Sequence, residues 1–326
     1  MSNNNAFRIV YLGSPQFAVP PLRRLLQEGY DVPLVITQPD RPKGRSRRPM
    51  PTDVKVAAEE LGLRVLSVAN VNTPEVLAEI AALQPDVLVV TAFGQLLGDK
   101  VLHIAPHGAI NIHASLLPDY RGASPIHQAV IDGRERTGIS IMMIEKRLDA
   151  GDVLAQAGCD ILPEDNTGTL RERLADIGAD LLPQVLLDMR EGRLQSQVQD
   201  EAAATYAGKI TSERELLDWT QSARTLHNLV RGLTPDTSAY TCWQDGDDIK
   251  RLKIWRTSLV DDDAAELAPG TVIKADKQGL LVQTGDGILR LLTVQPPGKG
   301  QMDAAAWWRG QRDLQAAGLC FQSAEA

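Results

Sequence analysis

The sequence has few cysteines and no overall positive charge. Its three cysteines, Cys159, Cys242 and Cys320, are too few and too scattered for a disulfide framework, and no CxxC pair or Cys/His cluster has zinc spacing. The formal net charge of -8 argues against a protein covered in positive potential, although it leaves room for local basic patches. We therefore expect reduced thiols and no structural metal.

Segments that would target or anchor the chain are also lacking. The stretch MSNNNAF has no basic region followed by an apolar one, and no run of about 18 apolar residues occurs in the chain. With 326 residues and 43% hydrophobic content, the chain is long enough for two domains with separate cores. We expect a globular, cytoplasmic protein that makes no contact with a membrane, and we expect a monomer.

The first half of the sequence alternates apolar strands with helices. The candidate strands are FRIVYLG, DVPLVITQ, PDVLVVTAFG and GAINIHAS, and the candidate helices are VPPLRRLLQ, PTDVKVAAEELG, PEVLAEIAALQ and SPIHQAVIDG. Apolar strands between helices predict an α/β, Rossmann-like domain whose parallel sheet is covered on both faces. Ligands of such sheets bind beyond the carboxyl ends of the strands, where Phe93, Gly94, Asn111 and His113 fall.

The pattern changes near residue 190. Residues 190–209 are polar and lack sustained periodicity, so we predict a linker there. The next stretch, SERELLDWTQSARTLHNLVRGL, predicts one capped amphipathic helix, with apolar residues at helical spacing: Leu216, Leu217, Leu226, Leu229 and Val230. Short strands separated by Gly- or Asp-rich turns follow and predict a small β-barrel of the oligonucleotide-binding (OB-like) kind. The predicted domains are thus residues 1–189 and 210–326.

The stretch NIHASLLPDYRG, residues 111–122, carries polar side chains where a core strand would carry branched apolar ones. Asn111 and His113 stand at positions i and i+2 of a predicted strand and share one face of it. Asp149 lies in the glycine-containing loop RLDAGD, after a further predicted strand. If folding brings the three together, His113 would act as general acid or base, Asp149 would support its charged form, and Asn111 would donate to an oxyanion. This arrangement suits acyl transfer without a covalent enzyme intermediate.

Three other interpretations concern these residues or the loop after the first predicted strand. His113 can be a hydrogen-bonded core histidine and Asp149 a turn cap, with no chemistry. A serine hydrolase built on Ser115 would need a GxSxG nucleophile elbow, which HASLL does not provide. A nicotinamide enzyme would need GxGxxG after the first strand, where GSPQFAVP stands. The spacing leaves the first interpretation open and disfavours the other two.

The segment DRPKGRSRRP contains five cations within eight residues and no acid among them: Arg41, Lys43, Arg45, Arg47 and Arg48. Prolines bracket the run, and neither helix nor strand periodicity is present. Such a segment is either a solvated surface feature or an electrostatic contact for a phosphate backbone.

The motifs NIHASLLPDYRGASP and TGISIMMIEKRLDAGDVL, at their observed separation, resemble those of the folate-dependent formyltransferases. Features of the family members that act on tRNA are found in GSPQFAVPPL, TQPDRPKGRSRRPMPTDVK, YAGKI and TGDGILRLLTVQPPGKG. The resemblance covers essentially the whole chain. It implies that 10-formyltetrahydrofolate, as co-substrate, donates a formyl group to the amino group of methionine on initiator tRNA, in support of translation initiation. Neither ATP nor metal is implied, because the formyl group on the folate nitrogen is already activated.

Carried over residue by residue, the resemblance assigns catalysis to Asn111, His113 and Asp149. The residues that it assigns to folate binding are Ser115, Leu116, Leu117, Pro118, Phe93 and Gly94. Phe93 stands where the family often has tyrosine. The five cations of the basic segment match the family's tRNA-contacting loop, with Arg45 aligned with its principal arginine, and the second domain is implied to bind tRNA.

Two alternatives stay open beside this one. Formyltransferases that act on sugar nucleotides or on glycinamide ribonucleotide share the catalytic trio, but their small acceptors give no reason for an arginine-rich loop or an appended barrel. A folate- or RNA-binding regulator with the same fold would tolerate the loss of the trio, whereas all three residues are present.

Overall fold

A computed structural model describes residues 7–42, 48–260 and 267–322 of the chain. The described residues divide into two compact units that are not continuous in sequence. The first unit takes in the residues through Pro125, together with Arg136–Asp160 and Arg171–Ala207. The second takes in Ile126–Glu135, Ile161–Leu170 and the residues from Gly208 onward. The domain limits predicted from the sequence stay predictions.

The strands of the first unit, in chain order, are β1 (Arg8–Gly13), β2 (Asp31–Thr37), β3 (Arg41–Pro42), β4 (Pro49–Met50), β5 (Val65–Ser67), β6 (Val87–Thr91), β7 (Ala109–His113), β8 (Arg121–Gly122), β9 (Arg136–Met143), β10 (Val153–Asp160) and β11 (Tyr206–Ala207). Seven of them form one sheet in the order β10-β9-β7-β6-β1-β2-β5. The five strands from β7 to β5 are parallel, as the alternation of strand and helix predicts. At the start of this order, β9 runs antiparallel to β7 and β10 runs antiparallel to β9, which extends the sheet beyond β7.

The helices, in chain order, are α1 (Val19–Gln27), α2 (Asp53–Glu60), α3 (Pro74–Ala82), α4 (Asp99–Leu102), α5 (Pro125–Ile131), α6 (Thr167–Arg190), α7 (Ala223–Leu233), α8 (Ala304–Arg309) and α9 (Arg312–Ala317). Among the described residues, no helix combines the length and the apolar character needed to cross a bilayer. Strand β6 is buried along its whole length, because helices cover both faces of a parallel sheet and leave no face for polar residues. This burial is what the continuous apolar run VLVVT predicts.

The second unit is built on an antiparallel sheet. Its strands are β12 (Ala239–Asp245), β13 (Asp248–Val260), β14 (Val272–Ala275), β15 (Leu280–Gln283), β16 (Ile288–Gln295) and β17 (Met302–Asp303). The first five pair in the order β12-β13-β16-β15-β14, and β17 pairs with β16. Alternate residues such as Leu252, Ile254, Leu289 and Leu291 enter the core, which is the period-2 pattern of a strand with one buried face. The predicted fold class is confirmed, with a mainly parallel sheet in one unit and a curled antiparallel half-barrel in the other.

A late segment of the chain bridges the two edges of this half-barrel. The amide of Gln322 donates to the Cys242 carbonyl in β12 at 2.8 Å, and the amide of Phe321 donates to the Gly270 carbonyl before β14 at 2.8 Å. The ring of Phe321 stacks on Trp219 with ring centroids 5.7 Å apart. The half-barrel is therefore covered at both edges by residues that the strand pattern alone did not assign to it.

The prediction of one helix over SERELLDWTQSARTLHNLVRGL was wrong in its first half, because helix α7 covers only ARTLHNLVRGL. Before it, the amide of Leu217 donates to the Tyr240 carbonyl at 2.8 Å in a strand-like contact. The Asp218 carboxylate accepts from the Thr220 amide at 3.1 Å, which stabilises a turn in place of a helix. The Ser222 hydroxyl then caps α7. Apolar spacing fitted a longer helix, but local side-chain hydrogen bonds set its start.

Candidate functional site

The predicted site residues of the first unit follow two neighbouring parallel strands. Phe93 and Gly94 come directly after β6, and Asn111 and His113 occupy the end of β7. Since Val90 is aligned with Asn111 in the pairing of these strands, the residues lie at one edge of the sheet. This is the carboxyl edge, at which α/β sheets bind their ligands.

His113 is buried, and its ring nitrogens have different neighbours. Its Nε2 lies 3.0 Å from the carbonyl oxygen of Tyr120. A carbonyl oxygen only accepts, so Nε2 carries a proton and donates it there. The Nδ1 atom lies 3.7 Å from Oδ2 of Asp149. In the neutral ring, Nδ1 is then the basic nitrogen, and a proton taken up there is stabilised by the carboxylate.

Asp149 is held in place by the backbone of a second loop. Its Oδ2 accepts a hydrogen bond from the Gly122 amide at 2.8 Å. Gly122 has a φ of +118°, and a Cβ at this position would lie 2.6 Å from the Ala207 carbonyl oxygen, so only glycine fits. The short segment from Tyr120 to Gly122 thus binds both His113 and Asp149 through its backbone.

Asn111 is half-buried on the same face of β7 as His113. Within the described chain, its side-chain amide makes no hydrogen bond. The structure therefore brings the three predicted catalytic residues to one place: a basic imidazole nitrogen, a carboxylate that supports its charge, and an amide donor on the same strand. Such a set can accept a proton and stabilise negative charge on an oxygen.

Sequence reasoning missed the segment that holds this arrangement together. Strand β11 pairs with β8, and the amide and hydroxyl of Thr205 bind the backbone of Pro118 and Tyr120 at 3.2 Å and 2.8 Å. The Gln199 amide donates to the carbonyl oxygens of Asp149 and Gly151 at 2.9 Å and 2.7 Å. Residues 199–207 were predicted as part of a linker, and they bond to both loops of the site.

Arg121 joins this segment to the site through its side chain. The guanidinium is only 1% exposed and donates to the Gln199 side-chain oxygen at 3.0 Å and 3.1 Å. It also forms a two-point ion pair with Glu201, with N–O distances of 2.9 Å and 3.2 Å. The hydrogen bond that Arg121 donates to Glu201 raises the pKa of Arg121, and the Arg121 guanidinium lowers the pKa of Glu201. Arg121 stood in the quoted motif, but its partners are about 80 residues away, so no local signal identified them.

The loop Ser115–Pro118 follows β7 directly. The Ser115 hydroxyl is buried and donates to the Asp119 carbonyl at 2.5 Å, so its proton is not shared with His113. This bond argues against the serine hydrolase arrangement, in which the hydroxyl would donate to the imidazole. Leu117 is buried, while Leu116 and Pro118 are half-buried.

The structure places the ring of Phe93 in the apolar core of the sheet, where it is 2% exposed. Its carbonyl oxygen accepts from the Gln38 side-chain amide at 2.9 Å. Gly94 has a φ of +79°, and a Cβ there would lie 2.5 Å from the same Gln38 nitrogen. At Phe93 and Gly94, the backbone lies at the carboxyl edge of the sheet, whereas the ring of Phe93 lies in the core.

The basic segment is described only at its ends. Arg41 and Arg48 are exposed beside the short pair β3 and β4, while Lys43, Arg45 and Arg47 lie outside the described residues. At the base of the segment, Lys55 donates to the Asp40 carboxylate at 2.9 Å. This ion pair therefore holds the start of the segment near the carboxyl end of β2.

Comparison with known families identifies the class of this protein. The profile described as "Formyl transferase" matches residues 7–186, which is more than half of the chain. The profile described as "Formyl transferase, C-terminal domain" matches residues 209–312. The chain belongs to the formyl transferase family.

Among the relatives, the methionyl-tRNA formyltransferase of Halalkalibacterium halodurans is 44% identical over 304 residues, which is 93% of this chain and 94% of the relative. The methionyl-tRNA formyltransferase of Bacillus subtilis is 43% identical over 305 residues, with the same shares of both chains.

Solved structures share the fold at low sequence identity. HypX from Aquifex aeolicus in complex with tetrahydrofolic acid is 15% identical, with a TM-score of 0.63 over 92% of this chain and 46% of HypX. The N-formyltransferase from Helicobacter canadensis, in complex with folinic acid and dTDP-3-aminofucose, is 14% identical, with a TM-score of 0.66 over 87% of this chain and 99% of that protein. At these identities, the likeness shows the fold alone.

Proposed function

We propose that this chain transfers the formyl group of 10-formyltetrahydrofolate to the amino group of methionine on initiator tRNA. The family supports formyl transfer, and the relatives that cover 93% of the chain are methionyl-tRNA formyltransferases. The structural observation that carries the chemistry is the basic Nδ1 of His113 beside Asp149, with the Asn111 amide on the same strand face. The reaction takes place in the cytoplasm, and we expect the enzyme to act as a monomer without metal or ATP.

In the proposed reaction, the neutral amine of the aminoacyl group attacks the formyl carbon and forms the new C–N bond. Negative charge develops on the formyl oxygen, and the Asn111 amide donates to it. His113 accepts the amine proton at Nδ1, while the proton on Nε2 stays hydrogen-bonded to the Tyr120 carbonyl, and Asp149 stabilises the imidazolium. The C–N bond to the folate nitrogen then breaks, and the proton moves from Nδ1 to that leaving nitrogen. No atom of the enzyme is bonded to the formyl group.

The remaining assignments concern binding. We assign folate binding to the loop Ser115–Pro118 and to the backbone at Phe93 and Gly94, next to the catalytic residues. We assign contact with tRNA phosphates to the basic segment and to the second unit. The described ends of that segment, Arg41 and Arg48, are exposed, which supports access by a large polyanion.

A formylation assay tests the proposal. The full chain is mixed with 10-formyltetrahydrofolate and charged initiator methionyl-tRNA, and formylmethionine is measured in a single turnover. Elongator methionyl-tRNA, an amino sugar nucleotide and glycinamide ribonucleotide serve as competing acceptors. We expect formylation of the initiator tRNA at a rate at least tenfold above that of each other acceptor. Preferred formylation of a small acceptor, or binding of folate and tRNA without turnover, contradicts the proposal.

A further inference from the structure

Two side chains outside the catalytic trio bind the backbone of the loop Ser115–Pro118. Ser140 lies on β9 and Gln156 on β10, and in the strand pairing Ser140 is aligned with both His113 and Gln156. These three residues therefore form one row across three neighbouring strands. The row begins at His113, which we assign to catalysis, and its other two members lie beneath the loop Ser115–Pro118.

The Ser140 hydroxyl is fully buried and uses all its hydrogen-bonding capacity on this loop and on its neighbour. It donates to the Ser115 carbonyl at 2.7 Å and accepts from the Leu117 amide at 2.9 Å. It also accepts from Nε2 of Gln156 at 2.8 Å. One donor and two acceptor positions are all that a hydroxyl has. Replacing it leaves two backbone groups of the loop without these partners.

Gln156 completes the set from the next strand. Its Nε2 donates to the Leu117 carbonyl at 2.9 Å as well as to Ser140. Both backbone polar groups of Leu117 are thus bound by side chains of the sheet. Gln156 itself is exposed, so its amide is held in place by these bonds and not by burial in a core.

Strand β9 accommodates the loop in a second way. Gly138, two residues before Ser140 on the same face, lies against the side chain of Leu116. A Cβ at Gly138 would be 2.6 Å from Cδ2 of Leu116, which is closer than carbon atoms approach. The strand therefore provides space for one leucine of the loop and hydrogen bonds for the backbone around the next.

We propose that Ser140 and Gln156 are positioning residues for folate, which set the affinity of the enzyme for its formyl donor by fixing the backbone of the loop Ser115–Pro118. This inference rests on the proposed function, which assigns the loop to folate. Neither side chain takes part in the chemical step. Replacing either side chain weakens the binding of the folate donor, because part of the binding free energy is then needed to order the loop.

The test compares Ser140→Ala and Gln156→Met with Thr137→Val in the full-length enzyme. Thr137 lies on the same strand, and its buried hydroxyl has no hydrogen-bond partner in the described part of the chain. Folinic acid affinity is measured by calorimetry, and KM for the folate donor, KM for tRNA and kcat are measured separately. We expect the dissociation constant for folinic acid and KM for the folate donor to rise about tenfold in both test variants. KM for tRNA and kcat should change less than twofold, and Thr137→Val should match the wild type.

Hydrogen exchange at the Leu117 amide gives a readout that does not depend on folate. We expect this amide to exchange faster in Ser140→Ala than in Thr137→Val, because it has lost its acceptor. If Ser140→Ala does not fold, Gln156→Met still tests the inference, because Gln156 is exposed. Wild-type folinic acid affinity in folded Gln156→Met overturns the inference, and so does an equal loss of affinity in Thr137→Val. If the wild type itself binds no folate, the proposed function fails, while hydrogen exchange still reports whether the two side chains fix the loop.

Discussion

The two regions proposed to meet the two substrates are built in opposite ways. Around His113, the polar side chains are buried or half-buried, His113 and Asp149 have named partners, and even the backbone of the adjoining loops is bound by Gln199 and Thr205. In the basic segment, the described cations Arg41 and Arg48 are exposed beside strands of two residues each. A reacting group must be held within a fraction of an ångström, whereas a phosphate backbone needs mainly positive charge within reach.

The arginines show the same difference. Arg121 is buried and ion-paired with Glu201, so its charge is used inside the protein and is not available to a substrate. Arg41 and Arg48 are exposed on the surface, where a polyanion can reach them. Substitutions in the first region should therefore change the rate of the chemical step, and substitutions in the second should change the affinity for tRNA and its salt dependence.

The largest effect is expected at the residues proposed to be catalytic. Replacing His113 or Asn111 by Ala should lower the single-turnover rate by roughly 10² to 10⁴, because the proton acceptor or the oxyanion donor is lost. Dissociation constants for folinic acid and tRNA should change little, and circular dichroism should show an intact fold. A folded variant with a near-wild-type single-turnover rate would remove that residue from the mechanism.

A somewhat smaller loss, of about 10² in the single-turnover rate, is expected for Asp149→Asn. The substituted amide still offers an oxygen to the Gly122 amide, so the loop is kept, but it cannot stabilise a proton on Nδ1 of His113. Full activity of the folded variant would mean that the carboxylate charge plays no part.

Gln199→Ala tests whether residues 199–207 position the site. We expect kcat to fall about tenfold, because the carbonyl oxygens of Asp149 and Gly151 lose their donor and the loop that carries the carboxylate loosens. KM for tRNA should be unchanged. Gln195→Ala is the matched control, since Gln195 lies four residues earlier in the polar stretch 190–209, is exposed and has no hydrogen bond in the described chain. Equal effects of Gln199→Ala and Gln195→Ala would mean that the hydrogen bonds of Gln199 do not position the site.

The smallest effect is expected in the basic segment. Arg45→Ala should weaken tRNA binding by a few-fold and reduce the slope of log K against log salt by about 1, with folate affinity unchanged. Arg23→Ala removes the same charge from the exposed face of α1, where Arg23 pairs with Glu60, and serves as the control. If Arg45 reads a base edge, the loss should instead depend on the acceptor-stem sequence, by about 1–3 kcal/mol. Identical binding curves for Arg45→Ala and Arg23→Ala would mean that the segment is only a solvated surface.

The sequence predicts the fold where the pattern is local. The run VPPLRRLLQ is helix α1 to the residue, and the predicted strand PDVLVVTAFG contains strand β6. Alternation of strands and helices also predicts the parallel part of the sheet and places Asn111 and His113 at its carboxyl edge. The direction of β9 and β10 is set by tertiary pairing, and no local signal in ISIMMI distinguishes a parallel from an antiparallel neighbour.

The sequence identifies the residues of the candidate site but not the segment that holds them in place. Asn111 and His113 stand out because polar residues rarely share the face of a buried strand without a reason. The partners of Arg121, by contrast, come from a segment that looks polar and irregular in sequence. The proton on Nε2 of His113 could not be predicted either, because the acceptor that fixes it is a backbone carbonyl, and any residue at position 120 would supply one. Phe93 is among the residues predicted to bind folate, and the structure places its ring in the core, so only its backbone stays a candidate for that role.

The bond between Tyr120 and Thr205 spans 85 residues and has a consequence for how the protein is made. At about 5–20 residues per second, a ribosome needs roughly 4–17 s to synthesise the chain between these two residues. In the later part of that time, once Asp149 has been added, the histidine, the asparagine and the aspartate all exist in the nascent chain, but the strand that steadies their loops does not. The nascent polypeptide can therefore carry all its proposed catalytic side chains well before it can become a working enzyme.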